Sequence, residues 1–395
     1  MRDFRETAGC AACGGEMSPF VEFPGVPTNS CVLLDTQEEA RSYPRGDIVL
    51  GACRRCGFIS NIRFDETLAQ YASRYEETQG YSPTFRKFHR ELATDLIGRH
   101  DIRNKDVLEI GCGKGEFLAM LCELGRNRGI GFDPSFDESR DIFAEDVEAR
   151  VVRDFFSEEH ADVDADVVCC KMTLEHIPNV EEFARLACGA MRDGDDAVVF
   201  FQVPNALRIL RDCAFEDIYY EHCSYFTAGS LGRLFRSFGL AIHRLTTEYA
   251  DQYLAIEAKP PESQVTSSTS SAVDDVDEIE RLITGFADRC AQKIESWQQQ
   301  LNAASETGPV VLWGSGSKAV AFLSAVDTRE QIEHVVDINP HKHGYYLPGS
   351  AQRIISPDEL AAVEPGTVII MNPVYREEIS AALREKKVEA EILSL

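Results

Sequence analysis

At 395 residues the chain is long enough for two or three domains. Its 44% hydrophobic and 9% aromatic content supplies sizeable cores and argues against global disorder. A formal net charge of -26 argues against broad binding to nucleic acid or to an anionic membrane face.

The amino-terminal stretch MRDFRETAGC has no apolar signal region, and no run of about 18 apolar residues follows anywhere. The expectation is a cytoplasmic protein. Thirteen cysteines in such a chain do not read as disulfides. Four of them form two C-x-x-C pairs, Cys10 with Cys13 and Cys53 with Cys56, and a glycine follows each pair. Thiolates two residues apart on a tight knuckle can face one ion, and four sulfurs suit a structural Zn²⁺. A redox C-x-x-C is the competing reading, and Cys31 is a weaker alternative ligand. Residues 1–66 are read as this zinc-binding module.

Helical character is expected from Asp65 to Ile97, interrupted between Gly80 and Pro83. From Lys105 onward the apolar runs VLEI, RGIGF, DVVCC, AVVFF and YLAIEA alternate with helical patterns such as GEFLAMLCELG. Strands alternating with helices imply a doubly wound α/β sheet. The first strand ends at Glu109 and opens a turn with Gly111, Gly113 and Gly115. Glycines let a backbone turn sharply and approach a ligand closely, and the next helix offers free N–H groups. Asp133 ends the second strand, followed by Pro134, and an acid there can accept ribose hydroxyls. The spacing of the turn, with Glu109 before it, favours S-adenosylmethionine over a dinucleotide. Asp154 and Phe155 follow the third strand, where an acid and a ring can hold adenine. Met172, Glu175 and His176 follow the fourth strand, and Asn205 ends the fifth, all at the carboxyl edge where ligands bind. A glycine turn serving only strand–helix packing is the bland alternative.

Beyond the fifth strand lies Ile218–Phe226, IYYEHCSYF, dense in aromatics around a Glu-His pair. Histidine titrates near neutrality, so His222 suits removal of a proton from a carbon acid. Glu221 and His222 diverge on an extended chain, so a direct dyad is not assumed. Tyr81 or Tyr225 can donate to a developing enolate oxygen. The methyltransferase-like span is read as 67–262 with its helical lead-in. Residues 263–275, rich in Ser and Thr, read as a linker. The remainder, 276–395, begins with a polar helix to about Ala304. A second α/β unit follows, with Gly314-Ser315-Gly316-Ser317-Lys318-Ala319 after a strand and Asp337 at the end of the next. That spacing fits the dinucleotide fingerprint, so an NAD-linked oxidoreductase is a rival reading. Against it, only about half of a doubly wound sheet is expected after Asp337.

The quartet of cysteines, LEIGCGKGEF, LEHIPN, YYEHCSYF and WGSGSKAVAFL together resemble the zinc-binding class I C-methyltransferases typified by deoxysugar 3-C-methyltransferases. The resemblance runs nearly end to end. It implies an α/β fold: a class I methyltransferase doubly wound sheet, an N-terminal zinc-ribbon-like module and a C-terminal Rossmann-like domain that helps bind substrate. It assigns a catalytic role to Glu221, His222 and a lead-in tyrosine, carried here to Tyr81. Tyr219, Ser224, Asn205 and Lys318 then become substrate-side candidates. The implied activity is S-adenosylmethionine-dependent methylation of a carbon beside a ketone in a nucleotide-linked sugar or related small metabolite. O- or N-methylation of a small molecule, and a non-catalytic scaffold with a dead fold, remain alternatives.

Overall fold

The computed structural model describes residues 9–69, 74–140, 142–160, 162–194, 196–261, 275–328 and 331–395. The linker expected at 263–275 lies outside the described residues except for Asp275, and so does most of MRDFRETAGC. In chain order the strands are β1 (Met17–Pro27), β2 (Arg45–Cys53), β3 (Ile59–Asn61), β4 (Asp106–Ile110), β5 (Arg128–Phe132) and β6 (Ala149–Val152). Then come β7 (Val167–Lys171), β8 (Val198–Pro204), β9 (Ser224–Tyr225), β10 (Ala241–Glu248) and β11 (Tyr253–Lys259). The last five are β12 (Val310–Trp313), β13 (Ile332–Val336), β14 (Arg353–Ile355), β15 (Thr367–Ile370) and β16 (Glu391–Ser394).

The central sheet has seven strands in the order β10-β11-β8-β7-β4-β5-β6. Its four inner pairings, from β8 through β6, are parallel, and β11 and β10 add an antiparallel edge. The parallel strands are apolar on both faces because helices cover both. Val107, Cys169 and Phe200 pack with the helices Pro83–His100 and Glu116–Gly125. Leu108, Cys170 and Phe201 pack on the other side with Val180–Gly189 and Ala228–Ser237.

The helical lead-in begins later than its composition suggests. Glu66–Leu68 is a single 3₁₀ turn, and a helix forms only at Pro83–His100. Ser82 caps that helix by accepting the Phe85 N–H, and Pro83 occupies its first turn, where a missing N–H costs nothing. Residues 74–82 instead run in irregular conformation, held by side chains of other segments. The polar helix expected from Val276 to Ala304 is two helices, Val276–Ile283 and Phe286–Thr307. Gly285, at φ 69, breaks it, a left-handed conformation that suits glycine.

In the C-terminal sheet β14, β15 and β16, three of the five strands, follow Asp337. Its order is β14-β13-β12-β15-β16 and every pairing is parallel, a complete five-stranded doubly wound sheet. Arg353–Ile355 and Glu391–Ser394 are short strands that the sequence pattern hides. The amino-terminal sheet, β1-β2-β3-β9, is not self-contained either. Its last strand is Ser224–Tyr225, with Ile59 paired to Tyr225 and Ser60 to Ser224. The segment IYYEHCSYF is thereby stitched to the module bearing the cysteines.

Candidate active site

A cavity of about 520 Å³ lies between the central sheet and the C-terminal unit. Its floor is the carboxyl edge of the central sheet, and its roof is the C-terminal unit with residues 74–82 between them. Gly111, Gly113 and Gly115 adopt φ of 69, 54 and 80. A Cβ on Gly111 would lie 2.0 Å from Thr173 Oγ1, and one on Gly113 would lie 2.8 Å from the Glu77 carboxylate. The turn therefore needs glycine for space as well as for conformation. The Gly113 N–H donates to Asp133 Oδ2 at 2.8 Å, and the Ser135 N–H and hydroxyl both donate to Oδ1. A carboxylate has about four acceptor sites, so Oδ2 keeps capacity for a hydroxyl.

Fit to an adenosyl cofactor can be judged from these groups. Glu109 Oε2 is buried without a hydrogen-bond partner among the described residues, and burial pushes that carboxyl up to about 7. Phe155 is 59% exposed, an open aromatic face on the cavity wall beside Asp154. Pro134 and Met172 also line the wall, the latter with a strained φ of 50. An acid, a glycine turn, a hydroxyl acceptor and a free ring match the tail, ribose and base of S-adenosylmethionine. Gly115 sits behind this surface, against Ile142.

Around the opposite arm of the cavity stand Glu175, His176, Tyr219 and His222. The rings of Tyr219 and His222 are 4.1 Å apart, and His176 meets His222 edge-on at 4.7 Å. His222 Nε2 is 4.0 Å from Glu175, and its Nδ1 has no hydrogen-bond partner. Burial, with His176 and Lys318 nearby, pushes His222 well below the usual imidazole range. Burial lowers His176 to about 4 and raises Glu175 to about 8. These shifts all favour the neutral form of the group. Lys318 closes this arm from the C-terminal unit by pairing with Asp217, which Arg208 also contacts. Against the upward push of burial, these two cations hold the Asp217 carboxyl below its ordinary range.

Several sequence candidates lie elsewhere. Glu221 faces away from His222 and does not line the cavity. It accepts from the Ser30 N–H and hydroxyl, from Asn29 Nδ2 and from the Tyr75 hydroxyl at 3.0 Å. A turn closed by the His222 N–H on the Tyr219 carbonyl separates the directions of the two neighbours. Tyr225 is buried in the β3–β9 ladder, its hydroxyl donating to the Tyr219 carbonyl. The Ser224 hydroxyl donates to the Ile177 carbonyl, and Asn205 caps the helix Ala206–Asp212. Tyr81 lines the cavity on the side of His341 and Arg140. Tyr219, and not Tyr81 or Tyr225, is the tyrosine ring nearest His222. Sequence reasoning passed over Tyr75 and Asp217, whose partners Glu221 and Lys318 lie far away in the chain, and also Arg208 and Lys171 with His89. Lys171 carried a signal, a lone cation closing the apolar run DVVCC at the carboxyl edge.

The C-terminal glycine turn, with Gly314, Gly316, Ser317 and Lys318, lines the cavity, and its acid is held by donors of the chain itself. Asp337 accepts from the Ser315 N–H and hydroxyl and from the Asn339 N–H, and it lies 3.8 Å from Lys342. The Ser30 hydroxyl donates to Ser317 at the start of the helix Ser317–Ala325. Asp337 thus carries the same number of internal donors as Asp133, with the Lys342 cation beside it in addition.

At the amino terminus the Cys10, Cys13, Cys53 and Cys56 sulfurs all lie within 4.8 Å of one another. Cys10 and Cys56, and Cys13 and Cys53, are each 3.6 Å apart. A regular tetrahedron of thiolates around Zn²⁺ has edges of about 3.8 Å, so the donors fit that ion. A hydrogen bond from Cys56 lowers the Cys10 thiol to about 5.

Residues 82–245 match the family model of a methyltransferase domain, and residues 254–391 match that of a C-methyltransferase C-terminal domain. The chain is an S-adenosylmethionine-dependent methyltransferase. This methyltransferase is 24% identical over 388 residues to the C-methyltransferase NovU of Streptomyces niveus, covering 94% of this chain and 90% of that one. Over 110 residues, 27% of this chain and 44% of the other, it is 31% identical to a ubiquinone biosynthesis O-methyltransferase of Methylobacterium sp. (strain 4-46). Among solved structures the methyltransferase is similar to 1,6-didemethyltoxoflavin-N1-methyltransferase of Burkholderia thailandensis, at 18% identity and a TM-score of 0.35, over 46% of this chain and 82% of that one. No helix among the described residues is long and apolar enough to cross a membrane.

Proposed function

We propose that the methyltransferase acts on carbon, at a position beside a ketone in a nucleotide-linked sugar or a related small metabolite, with His222 as the base. The observation that carries the reading is His222 itself, a buried imidazole lining the cavity, its Nδ1 without a hydrogen-bond partner among the described residues. A neutral imidazole can take a proton from carbon, and it does so best where no hydrogen bond competes for its lone pair. The electron pair of the broken C–H bond moves onto the ketone oxygen, and the Tyr219 hydroxyl is placed to donate to that oxygen. The positive charge gained by His222 stands 4.0 Å from a Glu175 carboxyl oxygen, which can face it without giving up its proton. S-adenosylmethionine, held by Glu109, the glycine turn, Asp133 and Phe155, supplies when bound the activated methyl group that the carbon takes. Lys318 and Arg208 supply the cationic edge for an anionic substrate group. Support for carbon as the acceptor comes from the matched C-methyltransferase C-terminal domain and from the relative of the same activity in Streptomyces niveus. The four amino-terminal cysteines hold a structural Zn²⁺ in this reading, and four thiolates leave no open position for catalysis.

His222→Ala should bind S-adenosylhomocysteine normally in calorimetry and lose at least about a hundredfold in turnover of a nucleotide-linked ketosugar. It should also abolish solvent deuterium exchange at the carbon beside the ketone. Near-normal kcat across neutral pH, or a product methylated on oxygen, would overturn the assignment.

A further inference from the structure

The cofactor's methionyl tail is a zwitterion, with an ammonium and a carboxylate on one carbon. A cavity that takes it out of water must meet both charges, because an unanswered buried charge costs several kcal/mol. Glu109 answers the ammonium. The cations of the cavity wall are Lys114, Lys171, Arg208, Lys318 and Lys342. Four of them already have anionic or carbonyl partners. Lys114 reaches the Tyr75 and Ser135 carbonyls and Glu77. Arg208 and Lys318 share Asp217, and Lys342 faces Asp337. Among the described residues, Lys171 alone of the five has no carboxylate or carbonyl within hydrogen-bond or ion-pair distance.

Its surroundings hold it in place without neutralising it. Nζ donates to His89 Nε2 at 3.1 Å and lies 4.3 Å above the centre of the Phe117 ring. His89 must therefore be neutral with its proton on Nδ1, and burial together with Lys171 lowers it to about 2. Strand register puts Lys171 beside Glu109. Glu109 pairs with Cys169, and Lys171 is two residues further on, so both side chains leave the same face of the sheet. The two groups act on each other through the field, each favouring the other's charged form.

We infer that Lys171, aimed by His89, is the cationic half of a clamp for the methionyl tail, receiving its carboxylate while Glu109 receives its ammonium. The inference rests on the S-adenosylmethionine reading of the cradle. His89 is a positioning residue, because its ring holds the amine and need not touch the cofactor.

Calorimetry with two ligands tests the clamp. One is S-adenosylhomocysteine, and the other is its decarboxylated analogue, 5′-deoxy-5′-(3-aminopropylthio)adenosine. Lys171→Met should weaken the first by about 10- to 100-fold, the scale of a lost charge-assisted hydrogen bond. It should leave the second within about threefold, which also shows that the variant is folded. Lys171→Arg should recover part of the loss, and His89→Leu should give a smaller loss confined to S-adenosylhomocysteine. Equal weakening of both ligands, or of neither, would overturn the clamp. A wild-type chain that binds neither ligand would overturn the cofactor reading itself, and the clamp with it.

Discussion

Burial acts on His222 and on Glu175 in opposite senses, because it opposes whichever form carries charge. An imidazole pushed down stays neutral as pH falls through the usual histidine range. Its contribution to stability is full above the unfolded value near 6.5 and is lost as pH drops below it. A carboxyl pushed up to about 8 binds its proton more tightly when folded. Its contribution is full below the unfolded value near 4.5 and is lost as pH rises through 8. Glu175→Gln keeps the shape and removes the ionisation. Between pH 6.5 and 8 the wild-type urea midpoint should fall, and the variant should flatten that fall by about 1–2 kcal/mol. A pH dependence unchanged by the substitution would mean that Glu175 is ionised in the folded chain.

Among the elements, the decisive piece is the short loop 28–31. Thr28, Asn29 and Ser30 are almost wholly buried, and they join three parts of the molecule. Ser30 donates to Glu221 below and to Ser317 above, while Asn29 also accepts from the Tyr43 hydroxyl. Glu221 is therefore the post to which the loop is tied, and His222 follows it in the chain. Glu221→Gln removes the charge that gathers these donors. It should cost about 1–3 kcal/mol of stability and reduce kcat while leaving the S-adenosylhomocysteine Kd unchanged. A variant with wild-type stability and kcat would show that the loop holds without it. This is also where sequence reading reached its limit. The long parallel strands were legible, because runs such as VLEI and DVVCC have no polar face and end at glycine or a charge. So were the glycine turn, the cysteine quartet and His222 at the cavity, since each is a local pattern. Glu221 and Tyr225 were legible as residues but not as orientations. Their partners, Ser30 and Ile59, lie more than a hundred positions away, and adjacent side chains give no hint of which faces the cavity. Tyr219 shows the same limit from the other side, being a wall aromatic by composition and the nearest ring to His222 by geometry.

Across the whole molecule, the amino-terminal sheet is the piece that couples the cysteine cluster to the candidate active site. Its cysteines close the ends of the β1–β2 pair, where Met17 is paired with Cys53. From β2 the ladder passes through β3 to β9, so the strand after His222 is hydrogen-bonded to a sheet that the cysteines pin. Ile48 and Leu50 of β2 join one core with Phe286 and Phe322 of the C-terminal unit, and Phe20 meets Phe286 at 5.7 Å. The cofactor cradle is built on β4 and β5, which do not pair with that ladder, although Met17, Cys53 and Phe58 share a core with Leu108, Ile110 and Phe132. Cys53→Ser opens a four-thiolate site, and a structural zinc site contributes directly to folding. The variant should lose bound zinc by elemental analysis and unfold its first sheet at a lower temperature than the rest. Its kcat should fall by at least about tenfold, because Tyr219 and His222 are no longer held at 4.1 Å, while S-adenosylhomocysteine still binds. Chelation of the wild-type chain should reproduce the same split. Unchanged metal content would remove the zinc assignment. Parallel loss of turnover and of cofactor binding would mean that the three sheets unfold as one unit, and that the cradle leans on the amino-terminal module after all.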